Sequence, residues 1–210
     1  MSTEFSAQVR PSNRELETGA EFSTRQSTWL RSSGVVVAGS ALVAVCAHVA
    51  LPLYFTPVPL SLAPFAVLVL GLLLRPRLAA AILCAYLVEG ALGLPVFSST
   101  PAAPMGLAHL FGPTGGYLLS YPLAAALIAF LVRRQRAGWY QGFTRSALSA
   151  AAGSGVILAC GAFWLLILTH GSIWSVLNLA ILPFLPGDLL KVVFAAGVTD
   201  GWARIRQRTI

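Results

Sequence analysis

Asp188 and Lys191 stand three residues apart in PFLPGDLLKVVFAAGV (183–198), a stretch otherwise suited to an apolar helix, and Lys191 is the only lysine in the 210-residue chain. At that spacing the two side chains share one helical face. Glu89, in YLVEGALGLPVF (86–97), is the third ionisable residue set deep among apolar neighbours. A carboxylate accepts hydrogen bonds from N–H groups, and an ammonium donates to carbonyl or carboxylate oxygens. Three uses suit such groups in an apolar setting. They hold a small polar ligand, they act as general acid and base, or Asp188 and Lys191 neutralise each other as a structural pair. Two glycine-bearing stretches, GPTGGY (112–117) and PGD (186–188), each place a helix N-terminus near these residues. Free N–H groups at such termini favour an anionic ligand, which adds Gly115 and Gly116 to the candidate site.

Other motifs carry less chemistry. GPTGG lacks the Gly-Lys-Ser/Thr of a nucleotide phosphate loop, so this chain is not expected to hydrolyse ATP. GSG (153–155) is not a nucleophile elbow. His48, His109 and His170 are not spaced as ligands, and Cys46, Cys84 and Cys160 lie singly in separate apolar segments. No metal site, cofactor or disulfide framework is therefore expected. An intramembrane enzyme using Glu89 or Asp188 as general base stays as an alternative of a different class.

The elements that must position these residues follow from composition. The chain is 57% hydrophobic and only 10% charged, with a mean hydropathy of +0.77. A soluble domain carries about a quarter charged residues, so the lipid bilayer is the expected solvent. A membrane helix needs about 20 mostly apolar residues, and six segments qualify: 33–53, 58–75, 77–94, 115–133, 148–169 and 186–204. The expected fold is an all-α bundle of six transmembrane helices over 31–205. A polar tail at 1–30, expected to be disordered and not a signal peptide, precedes it, and 206–210 forms a short cytoplasmic end. The proline-broken stretch 95–114 is expected to be a loop across the bundle mouth.

Net charge is +7, but the arginines flank the apolar segments and mark topology, not nucleic acid. Arg25 and Arg31, Arg75 and Arg77, Arg133 to Arg145, and Arg204 to Arg208 alternate with loops at 54–57, 95–114 and 170–185 that hold no Lys or Arg. By the positive-inside rule both termini are cytoplasmic. Glu89, Asp188 and Lys191 then share the outer half of the bundle. Small residues recur at i+3 in the first span (Ala38, Ala41, Ala44, Ala47) and at i+4 in the fifth (Ala147, Ala151, Gly155, Ala159). Such rows let helices approach closely, either inside the bundle or on another membrane protein.

PVPLSLAPFAVLVLGLLL (57–74), YLVEGALGLPVF (86–97), GPTGGYLL (112–119) and PGDLLKVV (186–193) together resemble the BioY family, the biotin-specific substrate-capture (S) components of energy-coupling-factor (ECF) transporters of prokaryotic cell membranes. The likeness spans about 35–204, in the same order. It implies a six-helix bundle that binds biotin in a pocket open to the outside. It also implies two kinds of partner, a membrane coupling (T) protein and cytoplasmic ATPases. The family's aspartate and lysine match Asp188 and Lys191, and its tyrosine after the glycine pair matches Tyr117. On this resemblance Asp188 accepts a ureido N–H. Lys191 meets either the ureido oxygen or the carboxylate. Phe97 and Tyr117 wall the apolar part. The alanine row of the first span then makes Ala41 and Ala44 the expected contacts of the coupling protein, with internal packing the equal alternative. An S component for another vitamin is the nearest alternative.

Overall fold

The computed structural model describes residues 33–98, 105–134 and 142–208; the expected tail at 1–30 lies outside them. The chain divides into two compact units, Met1–Val35 and Val36–Ile210, and the helical bundle belongs to the second. Helix α1 spans Ser33–His48. A two-residue antiparallel ladder, β1 (Ala50–Leu51) with β2 (Leu60–Ser61), pairs Ala50 with Ser61 and Leu51 with Leu60. Helices α2 (Ala63–Leu73), α3 (Pro76–Ala91), α4 (Leu107–Leu110), α5 (Gly115–Arg134), α6 (Phe143–Thr169), α7 (Ile173–Ala180) and α8 (Leu185–Arg208) follow.

Prolines set several of these boundaries. Pro76 is at the start of α3, and Arg75 before it is extended (ψ 149°), because a residue preceding proline is pushed out of the helical region. Leu74 and Arg75, both extended, break α2 from α3 at RPR. The first and second expected spans are shorter than their apolar segments. The chain leaves α1 after His48, turns through Pro52, Pro57 and Pro59, and returns as β2 before α2 begins at Ala63. Proline removes the N–H that would have continued either helix. The stretch 170–185, expected to be loop, contains α7, capped by the Ser172 hydroxyl accepting from the Ser175 N–H. The stretch 95–114, expected to be a loop across the bundle mouth, contains the one-turn α4 among its described residues.

By length and composition, α5 and α6 are able to cross a membrane, and a third span results if the α7–α8 pair, bent by 48°, counts as one. α1 and α2 are shorter apolar helices. Packing runs mainly between α5 and α6, α3 and α5, α6 and α8, and α2 with α5 and α8. Tyr86, Ile82, Leu83, Val67 and Ile157 fill the centre. The outside is apolar as well. Leu119, Leu123 and Phe130 on α5, Phe163 and Ile167 on α6, and Leu190, Phe194 and Trp202 on α8 are exposed, whereas Ser154, Asp188, Lys191 and Thr199 are buried. A soluble protein reverses that distribution. An apolar exterior around buried polar groups suits a bilayer.

Candidate functional site

One cavity gathers the polar groups. It is walled by Ala47 of α1, Val58, Pro59, Ser61, Ala63 and Pro64, Tyr86 of α3, Ser98 and Thr114, then Tyr117, Leu118 and Tyr121 of α5, Ile157 and Leu158 of α6, and Phe184, Asp188 and Lys191. The helical residues among these lie in the halves of their helices remote from Arg75, Arg77, Arg133, Arg145 and Arg204. The enclosed space is about 40 Å³, room for a few water molecules. A bicyclic ligand with a side chain needs its walls to part.

Asp188 and Lys191 are both buried, and Lys191 Nζ donates to Asp188 Oδ1 at 3.0 Å. The other carboxylate oxygen, Oδ2, accepts from Ser154 Oγ of α6 at 3.0 Å. Burying two charges costs several kcal/mol each by desolvation, and only close pairing with further hydrogen bonds offsets that. The pair therefore offers an acceptor and a donor side by side at zero net charge. The α8 helix presents both because Pro186 stands in its first turn, where the missing N–H costs nothing, and Asp188 falls in the same turn. Ser154 is not among the residues that the sequence singles out. Its only signal is a hydroxyl in mid-helix beside two glycines, a residue type common enough to carry no weight alone.

Tyr117 also reaches the cavity, and its hydroxyl donates to the Ala180 carbonyl at 2.9 Å, tying α5 to the end of α7. Thr56 Oγ1 donates to the neighbouring Leu179 carbonyl at 2.9 Å. Two hydrogen bonds thus tie α7 to α5 and to the turn between β1 and β2.

Four expected site residues stand elsewhere. Glu89 is absent from the cavity wall; its carboxylate accepts from Ser40 Oγ of α1 at 2.9 Å, because its side chain leaves α3 on the face towards α1. Gly115 and Gly116 are buried against other helices. A Cβ on Gly115 would strike the Leu110 carbonyl oxygen, and one on Gly116 would meet Trp164 and the Cys160 carbonyl. The glycine pair serves close packing of α5 on α6, and the Gly115 N–H is already bonded to the Gly112 carbonyl. The Asp188 N–H likewise binds the Phe184 carbonyl. Phe97 sits behind the wall, stacked on His109 at 5.0 Å and edge-on to Tyr86 at 5.4 Å, its ring in the notch left by Gly90. It holds Tyr86 in place.

The alanine rows resolve differently too. Ala38 and Ala41 are exposed, Ala44 is half-buried against the core, and Ala47 is buried at the cavity. An i+3 row turns about 60° backwards at each step of a 3.6-residue helix, so it winds from one face to the opposite one. The i+4 row of α6 drifts less, and Ala151, Gly155 and Ala159 all remain exposed. Internal packing takes up only the first residue of that row, Ala147.

A sequence model of the BioY family matches residues 17–208. The biotin transporter BioY of Thermotoga maritima is 35% identical over 75% of this chain and 86% of its own. Biotin transporter BioY2 of Lactococcus lactis subsp. cremoris is 30% identical over 80% of this chain and 87% of its own. The crystal structure of the S-component for biotin from an ECF-type ABC transporter shares the fold, with a TM-score of 0.75 at 23% identity over 86% of this chain and 93% of that one. The family match covers nearly the whole described bundle, and its end holds the buried Asp188–Lys191 pair; the chain belongs to the BioY family.

Proposed function

We propose that this chain captures biotin outside the cell and serves as the S component of an ECF-type transporter in a prokaryotic cell membrane. Membership of a transporter family makes it a transporter and not an enzyme. The observation that carries the substrate reading is the buried Asp188–Lys191 pair on the cavity wall, held in place by Ser154. A cyclic urea has N–H groups that need an acceptor and a carbonyl that needs a donor. The pair supplies both within one turn of α8, while Tyr117, Leu158 and Phe184 give the apolar wall a sulfur ring and methylene chain would pack against.

The finer arrangement follows from this reading. Six membrane-crossing segments, with both termini cytoplasmic, put the arginines inside and the cavity outside. Release to the cytoplasm requires energy from a membrane coupling protein and cytoplasmic ATPases, and α1 presents Ala41 to the coupling protein. Titrating the purified protein with biotin, riboflavin and thiamine tests the substrate. Saturable, tight binding of biotin alone is the expected result, and preference for another vitamin overturns it.

A further inference from the structure

Three tyrosines line the cavity, Tyr86, Tyr117 and Tyr121. The Tyr117 hydroxyl is bonded to the Ala180 carbonyl. Tyr86 is fully buried, and its hydroxyl has no hydrogen-bond partner among the described residues. A buried polar atom left unpaired costs stability, and native structures contain few of them. The position is not loose, since Phe97 packs edge-on against the Tyr86 ring at 5.4 Å. The phenol is therefore held at the cavity wall with its one polar atom unused.

Building on the biotin reading, we propose that Tyr86 is a ligand-binding residue whose hydroxyl donates to the ligand's carboxylate. α3 packs on α5, and α8 packs on α6 and α2, so Tyr86 and the Asp188–Lys191 pair come to the cavity from different walls. The pair, a neighbouring acceptor and donor without net charge, suits a neutral cyclic urea. The carboxylate at the far end of the ligand needs a donor of its own, and a phenol on the α3 wall supplies one. Tyr86 then reads the acid tail while Asp188 and Lys191 read the ring.

Tyr86→Phe removes only the oxygen and tests this by calorimetric titration and thermal melting in detergent. Wild-type protein must first bind biotin; failure there overturns the biotin reading and this assignment with it. Given wild-type binding, Tyr86→Phe is expected to weaken biotin roughly 10- to 100-fold, the effect of losing a hydrogen bond to a charged group. The ligand-free variant is expected to melt no lower than wild type, because the deleted hydroxyl had no partner. The deciding arm uses an analogue with the same bicyclic ring and a plain alkyl tail lacking the carboxyl. For it, the difference between wild type and variant should collapse to less than about twofold, the level of an unaffected surface change. Equal biotin affinities for wild type and variant overturn the contact, leaving the biotin reading intact. An equally large loss with both ligands overturns the carboxylate assignment.

Discussion

Asp188 and Lys191 are each other's partner, so a single substitution does more than delete one ligand contact. Asp188→Asn leaves the Lys191 ammonium buried without its counter-charge, and breaking a buried pair from one side costs about 3–5 kcal/mol. Lys191→Met leaves the opposite charge stranded. We expect each single variant to melt lower than wild type and to lose biotin binding, whereas Asp188→Asn with Lys191→Met recovers stability without recovering affinity. Thermal melting across the four proteins of this double-mutant cycle checks it. If the double variant binds biotin as wild type does, the pair is structural only. Ser154→Ala is the milder version. It removes one hydrogen bond from the Asp188 carboxylate, and affinity should fall by about 1.5–3 kcal/mol while the chain stays folded.

Between elements, α1 carries two different surfaces. Ala41 faces outward and Ala44 packs partly against the core. Ala41→Trp is therefore expected to abolish co-purification with the coupling protein while leaving biotin titration unchanged. Ala44→Trp should lower thermal stability as well, since overpacking a core typically costs about 1–3 kcal/mol. Retained co-purification of Ala41→Trp would remove α1 as the docking helix. A second link runs from α1 into α3, where Ser40 Oγ donates to Glu89. Because Glu89 lies one turn beyond Tyr86 on α3, that hydrogen bond fixes α1 to a helix that walls the cavity. The tight seat of α5 on α6 depends on Gly116, and Gly116→Val should prevent the bundle from closing, since its side chain would meet Trp164 and the backbone of Cys160.

For the molecule as a whole, orientation is the property with the widest consequences. Thr144 at the start of α6 and Ser172 at the start of α7 are exposed, and they sit at opposite ends of α6. With the arginines inside, Ser172→Cys should react with a membrane-impermeant thiol reagent added to intact cells. Thr144→Cys should stay unlabelled until the membrane is permeabilised. Cys46, Cys84 and Cys160 are replaced beforehand so that they give no background. The opposite labelling pattern would place the cavity on the cytoplasmic side and overturn capture from outside.

The apolar segments, the arginine rhythm and the charged pair were all legible in the chain itself, because each rests on local physics: hydrophobic length, flanking charge and helical spacing. Asp188, Lys191 and Tyr117 line the cavity. Partnering belonged to the tertiary structure. Glu89 looks equivalent to Asp188 in the sequence, yet the face it leaves α3 from delivers it to Ser40. Gly115 and Gly116 read as an anion cradle, and crowding by Leu110 and Trp164 makes them a packing surface. Ser154 and Tyr86 are ordinary in sequence. Only helix packing sets one against a buried carboxylate and leaves the other's hydroxyl unpaired. A side chain's type and spacing fix what it is able to bond, and which atoms meet it depends on contacts between residues far apart along the chain.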